Sequence, residues 1–122
     1  MIYAMKRKTI IKHSDFSTPP DSIVGRSEFF YIKTRLARFP GDARYGLVAS
    51  KHAFRLAVQR NRAKRLLRDW IRYNEHLMLP CLDYIFIATP KIWDAPRRLG
   101  RDRMRKTLKR IAKTYRLYGN QK

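Results

Sequence analysis

Acidic residues are scarce in this chain. Nine Asp and Glu stand against 29 Lys and Arg, giving a formal net charge of +20 over 122 residues. So unbalanced a chain repels itself when it compacts, and a polyanionic partner is the common reason for it. Nucleic acid leads as the partner class, with an anionic membrane surface second. The acids are also dispersed: Asp15, Asp21, Glu28, Asp42, Asp69, Glu75, Asp83, Asp94 and Asp102 each stand singly. A two-metal protein nuclease needs gathered carboxylates to hold its ions, so that class is disfavoured. Cys81 is the single cysteine, which excludes an internal disulfide; its apolar neighbours read it as a buried small hydrophobe. His13, His52 and His76 are scattered, without zinc-site spacing. No glycine-rich phosphate loop is present. No apolar run approaches the roughly 20 residues that span a bilayer. The opening MIYAMKRKTIIKHSDF lacks the continuous apolar core of a secretory signal. These absences together suggest a cytoplasmic protein with no membrane partner.

What is present suffices for one folded domain over residues 1–122. Hydrophobic residues make up 44% and aromatics 12%, enough for a core and too much for a disordered basic tail. Residues 1–15 are basic and mixed, with room for a short helix ending near Phe16. Residues 17–25 carry Pro19, Pro20 and Gly25 and read as a loop. The segments EFFYIKTRL (28–36) and RYGLVAS (44–50) read as strands. The turn chemistry of Phe39-Pro40-Gly41-Asp42 between them predicts an antiparallel hairpin. A helix is predicted over about 54–76, stopping before Pro80. CLDYIFIAT (81–89) reads as a buried strand, 90–96 as a loop, and about 99–118 as a second long helix. Met104, Leu108, Ile111, Ala112 and Tyr115 share one side of it. The expected fold is therefore α/β (α+β): a small sheet sandwiched with helices, in the order α-β-β-α-β-α. Residues 119–122 read as a loose end.

The stretch QRNRAKRLLRDW (59–70) carries the most information. A helix turns about 100° per residue. With Ala63 at zero, Leu56, Leu67, Trp70 and Ile71 fall on one side and predict a buried stripe. Asn61, Arg65, Arg68 and Arg72 fall opposite, at offsets of four, three and four, stacked one above the next. Arg62 and Lys64 flank the row. Arg60 lies nearer the apolar sector, where its stem can pack while its head reaches the edge. An ordinary solvated face interleaves acids with bases for about 0.2–0.5 kcal/mol per pair. Here Asp69 is the only acid between Ser50 and Asn74. Stacked like charges lower stability, so the row reads as a surface for a polyanion. Arginine's flat fork matches paired phosphate oxygens, and Asn can both donate and accept. This is recognition of phosphate and shape, with no sign of base readout.

Residues 46–72, GLVASKHAFRLAVQRNRAKRLLRDWIR, resemble the signature of the bacterial ribonuclease P protein family. The pattern is a strand, a Ser-Lys pair, then a helix with Arg-Asn-Arg, Lys-Arg and a further Arg. Here these are Ser50-Lys51, Arg60-Asn61-Arg62, Lys64-Arg65 and Arg68. The strand DYIFIAT and the basic last helix also sit where the family has them, so the resemblance covers about residues 5–117. It implies a fold with a left-handed βαβ crossover, contrary to the usual right-handed rule, as also found in a ribosomal-protein domain. It implies an accessory subunit of an endoribonuclease whose RNA, using Mg²⁺, removes the 5′ leader of precursor tRNA. Lys51, Arg60, Asn61, Arg62, Lys64, Arg65, Arg68 and Arg72 would then bind the catalytic RNA. The sheet face and N-terminal segment, with Phe16, Phe29, Tyr31 and Lys33, would form a cleft for the leader. No obligate protein partner is implied. Two positions depart from the pattern: Pro20 stands where a second aromatic is frequent, and His52 stands where Lys is usual.

Read without the resemblance, Phe29 and Tyr31 share a strand side with Lys33 and Arg35, and aromatics on such a face can stack on unpaired bases or fill a core. Lys106, Lys109, Arg110 and Lys113 on the last helix either touch RNA or keep the chain soluble. Asp94 reads as a turn residue. Two rivals remain. A structural ribosomal protein would share the size and charge without a leader cleft. A DNA-binding repressor would need a helix-turn-helix, but a strand precedes this helix.

Overall fold

The computed structural model describes residues 8–9, 23–36 and 44–118. The suggested N-terminal helix, Phe16, the turn at 39–42 and the tail at 119–122 lie outside them. In chain order the elements are β1 (Lys8–Thr9), β2 (Val24–Arg26), β3 (Phe30–Leu36), β4 (Arg44–Val48), α1 (Ala57–Asn74), β5 (Leu82–Ala88) and α2 (Arg97–Tyr118). Short 3₁₀ turns follow α1 at Glu75–Leu77 and β5 at Pro90–Asp94. The strands form one mixed sheet in the order β1-β4-β5-β3-β2. β4 and β5 run parallel, so β4, α1 and β5 make a crossover unit.

The expected hairpin of β3 with β4 does not form. β5 lies between them, antiparallel to β3 and parallel to β4. The reason is apolarity on both faces. All of Leu82, Asp83, Tyr84, Ile85, Phe86 and Ala88 are buried, and only a central strand covers both of its sides. β3 alternates buried Phe30, Ile32 and Thr34 with half-buried Tyr31, Lys33 and Arg35, which suits a flanking position.

Val24 and Gly25, read as the end of a loop over 17–25, form β2 with Arg26 and pair antiparallel with β3. Gly25 hid this strand, because glycine weakens strand propensity. The fold needs it there: a Cβ at Gly25 would lie 2.5 Å from Thr107 Cγ2 and 3.0 Å from Ile111 Cδ1, so α2 packs directly on the backbone of β2.

The core lies between the sheet and the two helices. Ala63, Leu67, Trp70 and Ile71 of α1 are buried, as are Met104, Leu108, Ile111 and Ala112 of α2. Leu56, expected in the α1 stripe, is 58% exposed. It precedes the first turn in an extended conformation, so helical phase does not apply to it. Trp70 is fully buried against Phe29 and Phe30, with ring centroids 6.0 and 6.1 Å away. Its indole fits only because residue 100 has no side chain; a Cβ there would fall 2.1 Å from Cε2 and Cζ2. Cys81 is half-buried rather than enclosed.

Candidate nucleic-acid interface

The outer face of α1 presents the row. Asn61, Arg65, Arg68 and Arg72 are all exposed. Among the described residues none of them has a hydrogen bond or ion pair. The helix follows from its sequence: Ala63, Leu66 and Leu67 favour it, and Gln59 Oε1 accepts the Leu56 amide at 3.1 Å, half of a capping box. Its only acid, Asp69, is turned away from the row. Arg101 of α2 donates to both Asp69 oxygens, from Nε at 3.3 Å and Nη2 at 3.2 Å. This two-toothed contact removes the one nearby negative charge that could have offset Arg65, Arg68 and Arg72.

The loop before α1 holds Lys51 at the same end. Ser50 Oγ accepts the Ala53 amide at 3.1 Å, and the Ser50 carbonyl accepts Phe54 N–H at 2.9 Å. This tight turn leaves Lys51 and His52 exposed. Arg60 folds back on the loop: its Nη1 donates to the carbonyls of Phe54 at 2.9 Å and Arg55 at 3.1 Å. Arg60 thus ties the Lys51 loop to the helix, with its other N–H groups left over. Arg62 is exposed, its guanidinium 4.7 Å from the ring centre of Trp93, a cation–π contact. Lys64 is half-buried on the opposite flank.

The sheet face opposite the helices carries a second basic group. Tyr31 and Lys33 are half-exposed there. Their register partners on β2 are Arg26 and Val24, both exposed, Val24 by 42%. Sequence reading missed these two because it assigned 17–25 to a loop and began the first strand at Glu28. Phe29 is a correction. It precedes β3, is 7% exposed and packs on Trp70, so it belongs to the core and not to the face of Tyr31. The Ser27 turn interrupts the alternation: Ser27 Oγ accepts the amides of Phe29 and Phe30. Arg35 lies across from Asp83 and donates to it at 3.2 Å.

Four of the acids in the described residues, Glu28, Asp69, Asp83 and Asp102, serve arginines. Glu28 accepts from Arg103 Nε at 2.9 Å, and that bond holds its carboxyl below the ordinary 4.5. Asp102 is held below 3.8 by hydrogen bonds from Arg105 and then Lys106. Among the described residues no three His, Cys, Asp or Glu side chains come together around a metal-sized space. The described residues therefore do not assemble a Mg²⁺ cage.

The start of α2 was also missed. Arg97, Arg98, Arg101 and Arg105 line a depression with Tyr73 and Asn74 of α1. The spacing of these arginines, falling on one helical side, was the available signal. Lys106, Lys109, Arg110 and Lys113, which had drawn attention instead, are all exposed.

A family model described as ribonuclease P matches residues 5–112. The ribonuclease P protein component of Marinobacter nauticus is 35% identical over 118 residues, covering 91% of this chain and 83% of that protein. That of Legionella pneumophila is 31% identical, covering 90% and 94%. The match to the Pseudomonas entomophila protein, 38% identical, covers 60% of this chain and about half, 52%, of that relative. Among solved structures, the Staphylococcus aureus RNase P protein mutant with defective mRNA degradation activity superposes at a TM-score of 0.71 with 25% identity, over 86% of this chain and 87% of that one. The RNase P protein from Thermotoga maritima gives 0.63 with 22% identity, over 74% and 84%. No helix among the described residues is long and apolar enough to cross a membrane.

Proposed function

The chain belongs to the ribonuclease P protein family, and from that premise we propose that it is the protein subunit of a ribonucleoprotein that removes the 5′ leader of precursor tRNA. In this reading the catalytic RNA docks on the outer face of α1. Arg62, Lys64, Arg65, Arg68 and Arg72 meet its phosphates, with Lys51 reaching in from the loop that Arg60 braces. Asn61 supplies a donor and an acceptor for a ribose hydroxyl. The face of β2 and β3 takes the single-stranded leader, with Tyr31 stacking on a base and Lys33 and Arg26 on its backbone. Phe16 stays with this cleft as part of the proposal; Phe29 leaves it. Hydrolysis belongs to the RNA, which supplies Mg²⁺ chemistry; the protein binds, orients and screens charge, in the cytoplasm.

One observation carries the reading. Among the described residues the side chains of the row Asn61, Arg65, Arg68 and Arg72 are exposed and have no hydrogen bond or ion pair, while Arg101 holds Asp69, the one acid within α1. Three like charges kept one above another serve no purpose within the fold. The test is a titration of the catalytic RNA with parent protein, Arg65→Ala and Arg68→Ala over a salt series. Each substitution is expected to weaken binding by about 1–3 kcal/mol and to flatten the salt dependence by about 0.7–0.9 in slope. Parent-like slopes in both variants would take the row out of the interface.

A further inference from the structure

The first turns of α2 face the end of α1 across a depression of about 490 Å³. Its walls are Tyr73 and Asn74 on one side and Arg97, Arg98, Arg101, Asp102 and Arg105 on the other. Arg101 is fixed twice: Asp69 binds it through two oxygens, and its guanidinium lies 4.5 Å from the Tyr73 ring centre. Arg105 is bound to Asp102. Arg97 and Arg98 are exposed and have no hydrogen bond or ion pair among the described residues. So four guanidinium groups meet at one depression, two acids offset two of them, and two remain unmatched. Nothing in the fold benefits from the unmatched pair. They stand in a first helical turn that contains no acid, where cations lower helix stability. Tyr73 beside them is 61% exposed, its ring open to a ligand on the side away from Arg101.

We propose that this depression holds the phosphodiester backbone of RNA, extending the docking face from α1 onto the start of α2. The inference rests on the reading of α1 as an RNA-docking face, because Arg72 of the row directly precedes Tyr73. A strand leaving Arg72 would meet Tyr73 next and then the free forks of Arg97 and Arg98, each able to grip two phosphate oxygens. Arg101, already oriented by Asp69 and Tyr73, positions the floor of the site and keeps the two helices in register.

The test uses the full chain and transcribed ribonuclease P RNA as the probe. Arg97→Gln/Arg98→Gln is expected to bind about tenfold more weakly at low salt. Its salt slope should be shallower by roughly 1–2, and its Tm equal to or above the parent's. Arg97→Lys/Arg98→Lys should recover the slope but only part of the affinity, because a point charge replaces a fork. Arg65→Gln/Arg68→Gln on α1 serves as the reference. If that pair weakens binding and Arg97→Gln/Arg98→Gln does not, the α2 site is overturned and the α1 reading stands. If only the α2 pair weakens binding, the depression holds RNA and the α1 reading falls. Parent-like binding by both pairs removes both. An equal loss from Lys109→Gln/Lys113→Gln would make the effect one of net charge and overturn the assignment.

Discussion

Trp70 and Gly100 show how closely the scaffold behind the basic face of α1 is fitted. The indole is fully buried, and a methyl group at position 100 would fall 2.1 Å from two of its ring carbons, far inside van der Waals contact. Gly100→Ala must therefore push α2 off α1 or turn Trp70 out of its pocket. Overpacking of this kind costs about 1–3 kcal/mol. Urea unfolding should show a lower midpoint at unchanged m-value, and an unchanged midpoint would contradict the packing. The acid side of the stability curve also belongs to single residues. Arg103 holds the Glu28 carboxyl below its ordinary value, and Arg105 and Lys106 do so for Asp102. A carboxylate depressed in the folded state adds stability above its ordinary value and loses it as pH falls through the folded one. Tm should therefore decline as pH falls below about 4.5 for Glu28 and 3.8 for Asp102. Glu28→Gln/Asp102→Asn should flatten that decline, modestly because both sites are partly exposed. A Tm–pH profile identical to the parent's would contradict these pairings.

At the scale of elements, the turn residue before β3 and the outer face of β3 separate structure from function. Phe29→Ala removes a ring packed on Trp70 and should lower stability by about 3–5 kcal/mol. Tyr31→Ala/Lys33→Ala, on the face opposite the helices, should leave stability nearly unchanged and reduce the preference for precursors with a long leader. Docking of the catalytic RNA should be intact in that variant; a loss of docking with leader preference retained would move the cleft elsewhere. Helices were legible in sequence because charge and apolarity repeat at helical spacing: the row of Arg65, Arg68 and Arg72 and the stripe of Ala63, Leu67, Trp70 and Ile71 both appear in α1 as read. Strand order was not legible. A turn between 36 and 44 suggests pairing of neighbours, while the decisive fact is non-local: residues 82–88 are apolar on both faces and take the centre. β2 was lost to Gly25, whose role is visible only when Thr107 and Ile111 are seen above it. The arginines at 97, 98, 101 and 105 could have been read as one side of a helix. What sequence could not supply was Tyr73 opposite them.

At the scale of the whole molecule, a net charge of +20 is arranged and not merely accumulated. Glu28, Asp69, Asp83 and Asp102 all hold arginines, and these contacts link elements or turns of the scaffold. Among the described residues the excess is thus left on the outer faces of α1 and α2 and on the far side of β2 and β3. Such a surface favours binding that weakens steeply with salt and a fold stabilised by a polyanionic partner. The direct test of the central claim is cleavage of a precursor tRNA by the cognate catalytic RNA at low Mg²⁺, with and without this protein. Addition of the protein should switch on cleavage at the mature 5′ end, and the protein alone should cut nothing. Cleavage by the RNA that is indifferent to the protein, or cleavage by the protein alone, would contradict the account.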